Sequence, residues 1–205
     1  MIVSYRDKRT FDFSQGKRVR GFSGIERAAS IKLAQLDAAT SVLDLMRPGN
    51  RLEILKGDRK GQFSIRINDQ WRVCFEWPKG SPGPTNVEIV DYHGRTRLMM
   101  ARMAIHPGEV LAEDLEALGM SAAELSRQIR VPTNRITGIL KGQRAVTGDT
   151  ALRLGHFFGT SAEFWLNLQK LYELRLAEEK VGAQIKALPK LPEARKNPGE
   201  QLPSP

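Results

Sequence analysis

A chain of 205 residues has room for two small domains, each with its own core. It carries 32 Lys and Arg against 23 Asp and Glu, a formal net charge of +9, and its single cysteine, Cys74, excludes an internal disulfide framework. No apolar run reaches membrane-spanning length, residues Met1 to Asp7 lack the apolar core of a secretory signal, and Cys74 with His93, His106 and His156 gives no metal-ligand spacing. The expectation is a cytoplasmic protein without metal or cofactor. The charge is uneven: residues 1–97 hold 18 Lys and Arg against 11 Asp and Glu, residues 98–205 hold 14 against 12. That asymmetry points to an anionic partner for the first half, most simply nucleic acid.

Residues Ile2 to Arg6 favour an extended strand. Ser23 with Glu26 fits a capping box, and the helix after it places Ile25, Ala29, Leu33 and Leu36 on one stripe, leaving Arg27, Lys32 and Gln35 outside. Pro48-Gly49 marks a turn, and Arg51 to Lys56 is a candidate strand closed by Gly57-Asp58. Phe63, Ile65 and Ile67 then alternate with polar residues, as do Trp71, Val73, Phe75 and Trp77. The loop Asn68-Asp69-Gln70 pairs Ile67 with Trp71, Ile65 with Val73 and Phe63 with Phe75. This register sets Arg66 opposite Arg72 on the polar face, a like-charge pair that solvent or a bound phosphate must separate. After Pro82-Gly83-Pro84, a last strand from Val87 delivers Asp91, Tyr92 and His93 to its end.

A basic sheet with a terminal Asp-Tyr-His suits hydrolysis of RNA by its own 2′-hydroxyl. That reaction needs a base, an acid and cationic groups on the phosphorane, and side chains can supply all three. His93 or Asp91 is the candidate base, Lys56 and Arg72 the electrostatic clamp, and Tyr92 stacks on or orients the nucleotide. Leu55-Lys56-Gly57-Asp58-Arg59-Lys60-Gly61, Trp71-Arg72-Val73-Cys74-Phe75 and Val90-Asp91-Tyr92-His93 resemble the HigB toxins of the RelE/ParE superfamily. The resemblance covers about residues 1–93. It implies an α+β domain, helices on a mostly antiparallel sheet, that cleaves messenger RNA on the translating ribosome. Lys56, Arg72 and the Asp91-Tyr92-His93 ending match the functional residues of that family. Glu53 stands where some relatives carry a His, and the ending is shorter than the family's longer forms. Those departures leave open a regulator with a degenerate first domain. A topoisomerase-inhibiting branch is a third reading.

Between the halves, Met99, Met100 and Met103 cluster where a linker is normally polar, as an apolar packing segment or as the relic of a second start codon. Five helices follow. The first opens at Pro107-Gly108 and stops at Gly119; the second is headed by Ser121 and Glu124; the third spans about Thr133 to Lys141. The fourth runs from Gly148 to Phe158 with Leu152, Leu154 and Phe157 inward. The fifth starts at Thr160 or Ser161 and carries Phe164, Trp165, Leu168, Leu171 and Leu174. The second and third make a helix-turn-helix. Thr133, Asn134 and Thr137 suit base edges, Arg135, Lys141 and Arg144 bases or phosphates, and the amides at Ser121 a phosphate. Ile105 to Leu111, Thr150 to Leu154 and Phe158 to Gln169 resemble HigA antitoxins of the Xre type, which implies a dimeric operator-binding repressor that neutralises its toxin.

The expected organisation is therefore an α+β RelE-like domain over 1–94, a linker over 95–104, an all-α five-helix helix-turn-helix domain over 105–182, and a proline-rich tail over 183–205. The expected partners are operator DNA, the ribosome and messenger RNA for the freed toxin half, a toxin–antitoxin contact within the chain or across a dimer, and a second copy of the chain through the helical half, with no membrane. A junction of about ten residues holds the two halves at roughly millimolar effective concentration.

Overall fold

The computed structural model describes residues 1–91 and 104–189. Tyr92, His93, the methionine cluster and the tail from residue 190 lie outside the described residues. In the first half, α1 (Lys8–Ser14) and α2 (Glu26–Ala38) back one antiparallel sheet, β1 (Glu53–Ile54), β2 (Gln62–Arg66), β3 (Trp71–Glu76) and β4 (Thr85–Asp91), in that spatial order. The β2–β3 register is the expected one: Phe63 faces Phe75, Ile65 faces Val73 and Arg66 faces Arg72. Side chains alternate between faces along a strand, so Ile65, Trp71, Val73, Phe75 and Ile89 share the core side. Phe13, Phe22 and Trp71 meet edge to face, 5.3 and 5.6 Å between neighbouring centroids, and fasten α1 to that side.

Three local expectations differ. Residues 2–6 form no full strand; Tyr5 makes an isolated parallel bridge with Val87 because the chain turns at once into α1, capped by Asp7. No capping box forms at Ser23: α2 starts at Glu26, with Ile25 at the cap position, and Glu26 accepts from the Gly24 N–H at 2.7 Å. Lys32 and Gln35, expected outside, are buried.

The second half has five helices among the described residues: α3 (Pro107–Leu118), α4 (Ala122–Gln128), α5 (Thr133–Leu140), α6 (Gly148–Phe158) and α7 (Ala162–Lys186). Leucines 111, 125 and 154, Ile136, Ile139, Phe164 and Trp165 form its core. His106 caps α3, its Nδ1 accepting from the Gly108 N–H at 2.9 Å, and its ring meets Tyr172 edge-on. Leu152 and Leu174, expected inward, are exposed, since the inner faces of α6 and α7 are already filled by Leu154 and Leu168. Helix α7 runs to Lys186, past the expected boundary at 182. No helix among the described residues is long and apolar enough to cross a membrane.

Candidate nucleic-acid interfaces

The polar face of the sheet carries Glu53, Ser64, Arg66, Arg72, Cys74 and Glu88. Arg72 Nε donates to Ser64 Oγ at 2.8 Å, and its Nη2 donates to the Arg51 carbonyl at 3.0 Å and lies 3.2 Å from Glu53 Oε2. Arg66 pairs with Asp69, and Arg59 with Glu88 at 3.0 Å. Each of the opposed arginines, Arg66 and Arg72, thus has a carboxylate of its own. Beneath them Cys74 is fully buried, and burial pushes its thiol up to about 11, so it is inert packing.

The expected cluster of Lys56, Arg72 and Asp91 does not assemble. Arg72 pairs with Val90 and Trp71 with Asp91, so Asp91 extends from the core side, opposite Arg72, where it accepts from Gln70 Nε2 at 3.1 Å. Lys56 lies beyond Leu55, whose N–H bonds the Gln62 carbonyl, at the far end of the sheet and on its other edge. Three strand spacings of about 4.8 Å and about five residues at 3.3 Å put Lys56 and Asp91 roughly 20 Å apart. The reason is topological: the β1–β2 turn that carries Lys56 and the end of β4 occupy diagonal corners. Arg72 is the predicted cation that stands beside the end of β4, opposite Val90.

In the helical half, Thr133 and Asn134 open α5 and are exposed, as are Lys141 and Arg144 after it. Thr137 is half-buried and within 3.4 Å of the Asn134 carbonyl. Arg135 is less available than its sequence position implies, because it pairs with Asp149, which Arg153 also holds at 2.9 Å. Hydrogen bonds from Arg153 and Arg135 keep the Asp149 carboxyl below the usual range. Ser121 caps α4, its hydroxyl accepting from Glu124 N at 3.2 Å, so that oxygen is already engaged.

A third interface, between the halves, was not expected in detail. Arg47 lies fully buried against Asp114 of α3, its guanidinium 4.6 Å from the Trp165 ring centroid and 4.7 Å from that of Phe164. Lys32 donates to Glu113 at 2.7 Å, and burial pulls its ammonium below its usual value. Arg27 pairs with Glu109. Asp44 accepts from the Ser161 N–H at 2.7 Å at the start of α7, and Asn167 donates to the Ala38 carbonyl at 3.0 Å. The outer face of α2 and the turns after it therefore receive α3 and α7. One signal was present in the sequence: Glu109, Glu113 and Glu116 recur at helical spacing, complementary to Arg27 and Lys32.

A helix-backed antiparallel sheet joined to a five-helix unit with an exposed recognition helix defines two domains of separate classes, α+β toxin-like and helix-turn-helix. Family models agree: "RelE-like toxin of type II toxin-antitoxin system HigB" matches residues 4–93 and "Helix-turn-helix" matches residues 111–165. The chain belongs to the HigB-like toxin family through its first half and carries a helix-turn-helix domain fused behind it. It is similar to "Toxin HigB-1" of Vibrio cholerae, 45% identical over 83 residues, 39% of this chain and 87% of that protein. It is also similar to "Endoribonuclease HigB" of Proteus vulgaris, 39% identical over 62 residues, 30% of this chain and 65% of that protein. Among solved structures, an addiction module antidote protein of a HigA family from Coxiella burnetii is 52% identical, covers 43% of this chain and 98% of its own, and has a TM-score of 0.42.

Proposed function

We propose that the chain is a self-contained toxin–antitoxin pair: residues 1–94 a metal-independent, ribosome-dependent messenger endoribonuclease, residues 105–182 its inhibitor and an operator-binding autorepressor. The observation that carries this reading is the docking geometry. The helical half seats on the outer face of α2, while Thr133 and Asn134 remain exposed for DNA. Arg72 lies across the sheet, on the side away from α2. Inhibition then works by the bulk of the attached domain, which denies the sheet access to a large target, not by filling the site. The family match to a toxin of a toxin–antitoxin system, and a relative named as an endoribonuclease, support the chemistry. In that chemistry Arg72 stabilises charge on the phosphorane, and His93 is the base that accepts the 2′-hydroxyl proton. Lys56 acts elsewhere along the strand of RNA. Two copies pair through their helical halves to present two recognition helices to neighbouring half-sites of the operator.

Tightly controlled expression of residues 1–94 tests this. Growth arrest and translation-dependent messenger cleavage are expected, abolished by Arg72→Ala and reversed by co-expressing residues 104–189. Folded residues 1–94 that leave growth and messenger RNA unchanged would overturn the nuclease assignment. The Glu53–Arg72 ion pair favours the second reading, a DNA-binding regulator with a silenced first domain. Under that reading Arg72→Ala changes nothing and operator binding is the sole activity.

A further inference from the structure

The cleft where the sheet meets α3 contains charges that neither domain's assigned role uses. Its volume is about 510 Å³, and it is lined by Arg51, Arg66 and Asn68 of the first half and by Glu113, Glu116 and Ala117 of α3. Arg51 is exposed and holds a left-handed backbone, φ 43° and ψ 56°, a conformation disfavoured for an Arg. That conformation turns its carbonyl to Arg72, which donates to it at 3.0 Å. Arg66 faces Arg72 across the β2–β3 ladder. Arg72, Arg66 and Arg51 therefore lie in succession from the polar face of the sheet to the cleft between the domains, Arg72 paired with Glu53, Arg66 with Asp69, and Arg51 exposed in the cleft wall. At its far end stands α3, where Glu113 is engaged by Lys32 and Gln35 and Glu116 is exposed.

We propose that this row is a second contact region for the phosphate backbone of single-stranded RNA, running from Arg72 into the cleft, and that Glu116 guards its end. It rests on the reading of the first half as an RNA-processing domain. Guanidinium groups at successive positions track a phosphodiester chain without reading bases. A carboxylate placed at the end of such a row opposes the same phosphates. The helical half thus has an electrostatic part in restraining the sheet, separate from its bulk. Glu116 acts on the RNA path, whereas Glu109, Glu113 and Asp114 of the same helix hold the domains together.

The test uses the full chain and a labelled ten-nucleotide RNA carrying 2′-O-methyl groups, which block cleavage. Binding is followed by fluorescence polarisation across a salt series, with excess unlabelled duplex DNA occupying the helical half. Arg51→Asn keeps a residue that tolerates the left-handed backbone; it should weaken binding about three-fold and lower the salt slope by about 0.7, the value of one lost phosphate contact on a single strand. Glu116→Lys should tighten binding by more than Glu179→Lys, the same charge change on α7. If Arg51→Asn and Glu116→Lys do nothing while Arg72→Ala weakens binding, the sheet binds RNA without the cleft, and this inference falls alone. If Arg72→Ala is also without effect, the sheet does not hold free RNA and this inference falls, while the ribosome-dependent nuclease reading stands or falls on the growth assay of residues 1–94. Equal melting temperatures among the variants confirm that folding is not the cause.

Discussion

Removing the Asp114 carboxylate should separate the two halves energetically. The Arg47 side chain is 1% exposed and that of Asp114 is 2% exposed. In Asp114→Ala the guanidinium keeps one distant acceptor, the Val110 carbonyl at 3.4 Å, and the flanking rings of Phe164 and Trp165. Cation–π contacts of this kind are worth about 2 kcal/mol when desolvated, whereas breaking a buried pair by deleting one partner costs about 3–5 kcal/mol. The rings do not offset the loss, so the net destabilisation is expected near 3 kcal/mol, a factor of about one hundred. Replacing both partners, Arg47→Met with Asp114→Leu, removes the charges together and should recover most of it. Urea unfolding followed by tryptophan fluorescence and by circular dichroism reads both variants. Asp114→Ala should split one cooperative transition into two, because Trp71 and Trp77 report the sheet and Trp165 the helical half. A single transition shifted by less than about 1 kcal/mol would show that this pair does not couple the domains.

Further expectations concern single positions. His106 accepts the Gly108 N–H and must be neutral to do so, and burial lowers its pKa below the usual value. The unfolded chain therefore takes up the proton first, so stability present above about pH 6.5 should fall as pH drops through the folded pKa. Melting curves from pH 5 to 8 should show this slope in the native chain and a flatter one in His106→Asn, which retains a cap acceptor. Gly108→Ala should destabilise the helical half by more than about 2 kcal/mol in denaturant unfolding, because the added Cβ would stand 2.0 Å from the Ile139 carbonyl oxygen. Asn134→Ala should weaken operator binding at least about ten-fold in a gel-shift titration, as lost base contacts are worth about 1–3 kcal/mol. Arg135→Ala should cost less, since Asp149 already engages that side chain.

The sheet's register was legible because period-two alternation in Phe63 to Ile67 and Trp71 to Phe75 permits one pairing that gathers the large apolar groups on one side. The end of the first helix of the second half and the start of the next were legible for similar reasons, from Gly119 and Ser121. The burial of Lys32 and Gln35 was not, because a hydrophobic stripe tells which side of α2 meets its own core and says nothing of what covers the other side. Lys56 failed as a partner for Asp91 for a different reason. Short motifs fix neighbours along the chain, while the distance between two motifs depends on the strand order and on which end of the sheet each turn occupies. The first helix was missed because Phe11 and Phe13 alternate over too short a span to distinguish a helix from an extended segment.

The seam between the domains carries three matched ion pairs, Arg27 with Glu109, Lys32 with Glu113 and Arg47 with Asp114, and this affects more than the fused molecule. A greasy contact would leave each piece insoluble when parted. A helix that shows Arg27, Lys32 and Gln35 to the outside is at ease in water, and so is one that shows Glu109, Glu113 and Glu116. Each piece can then trade its own tethered mate for the equivalent piece of another molecule. Crowding of copies, as much as the tether, would decide which toxin each antitoxin holds.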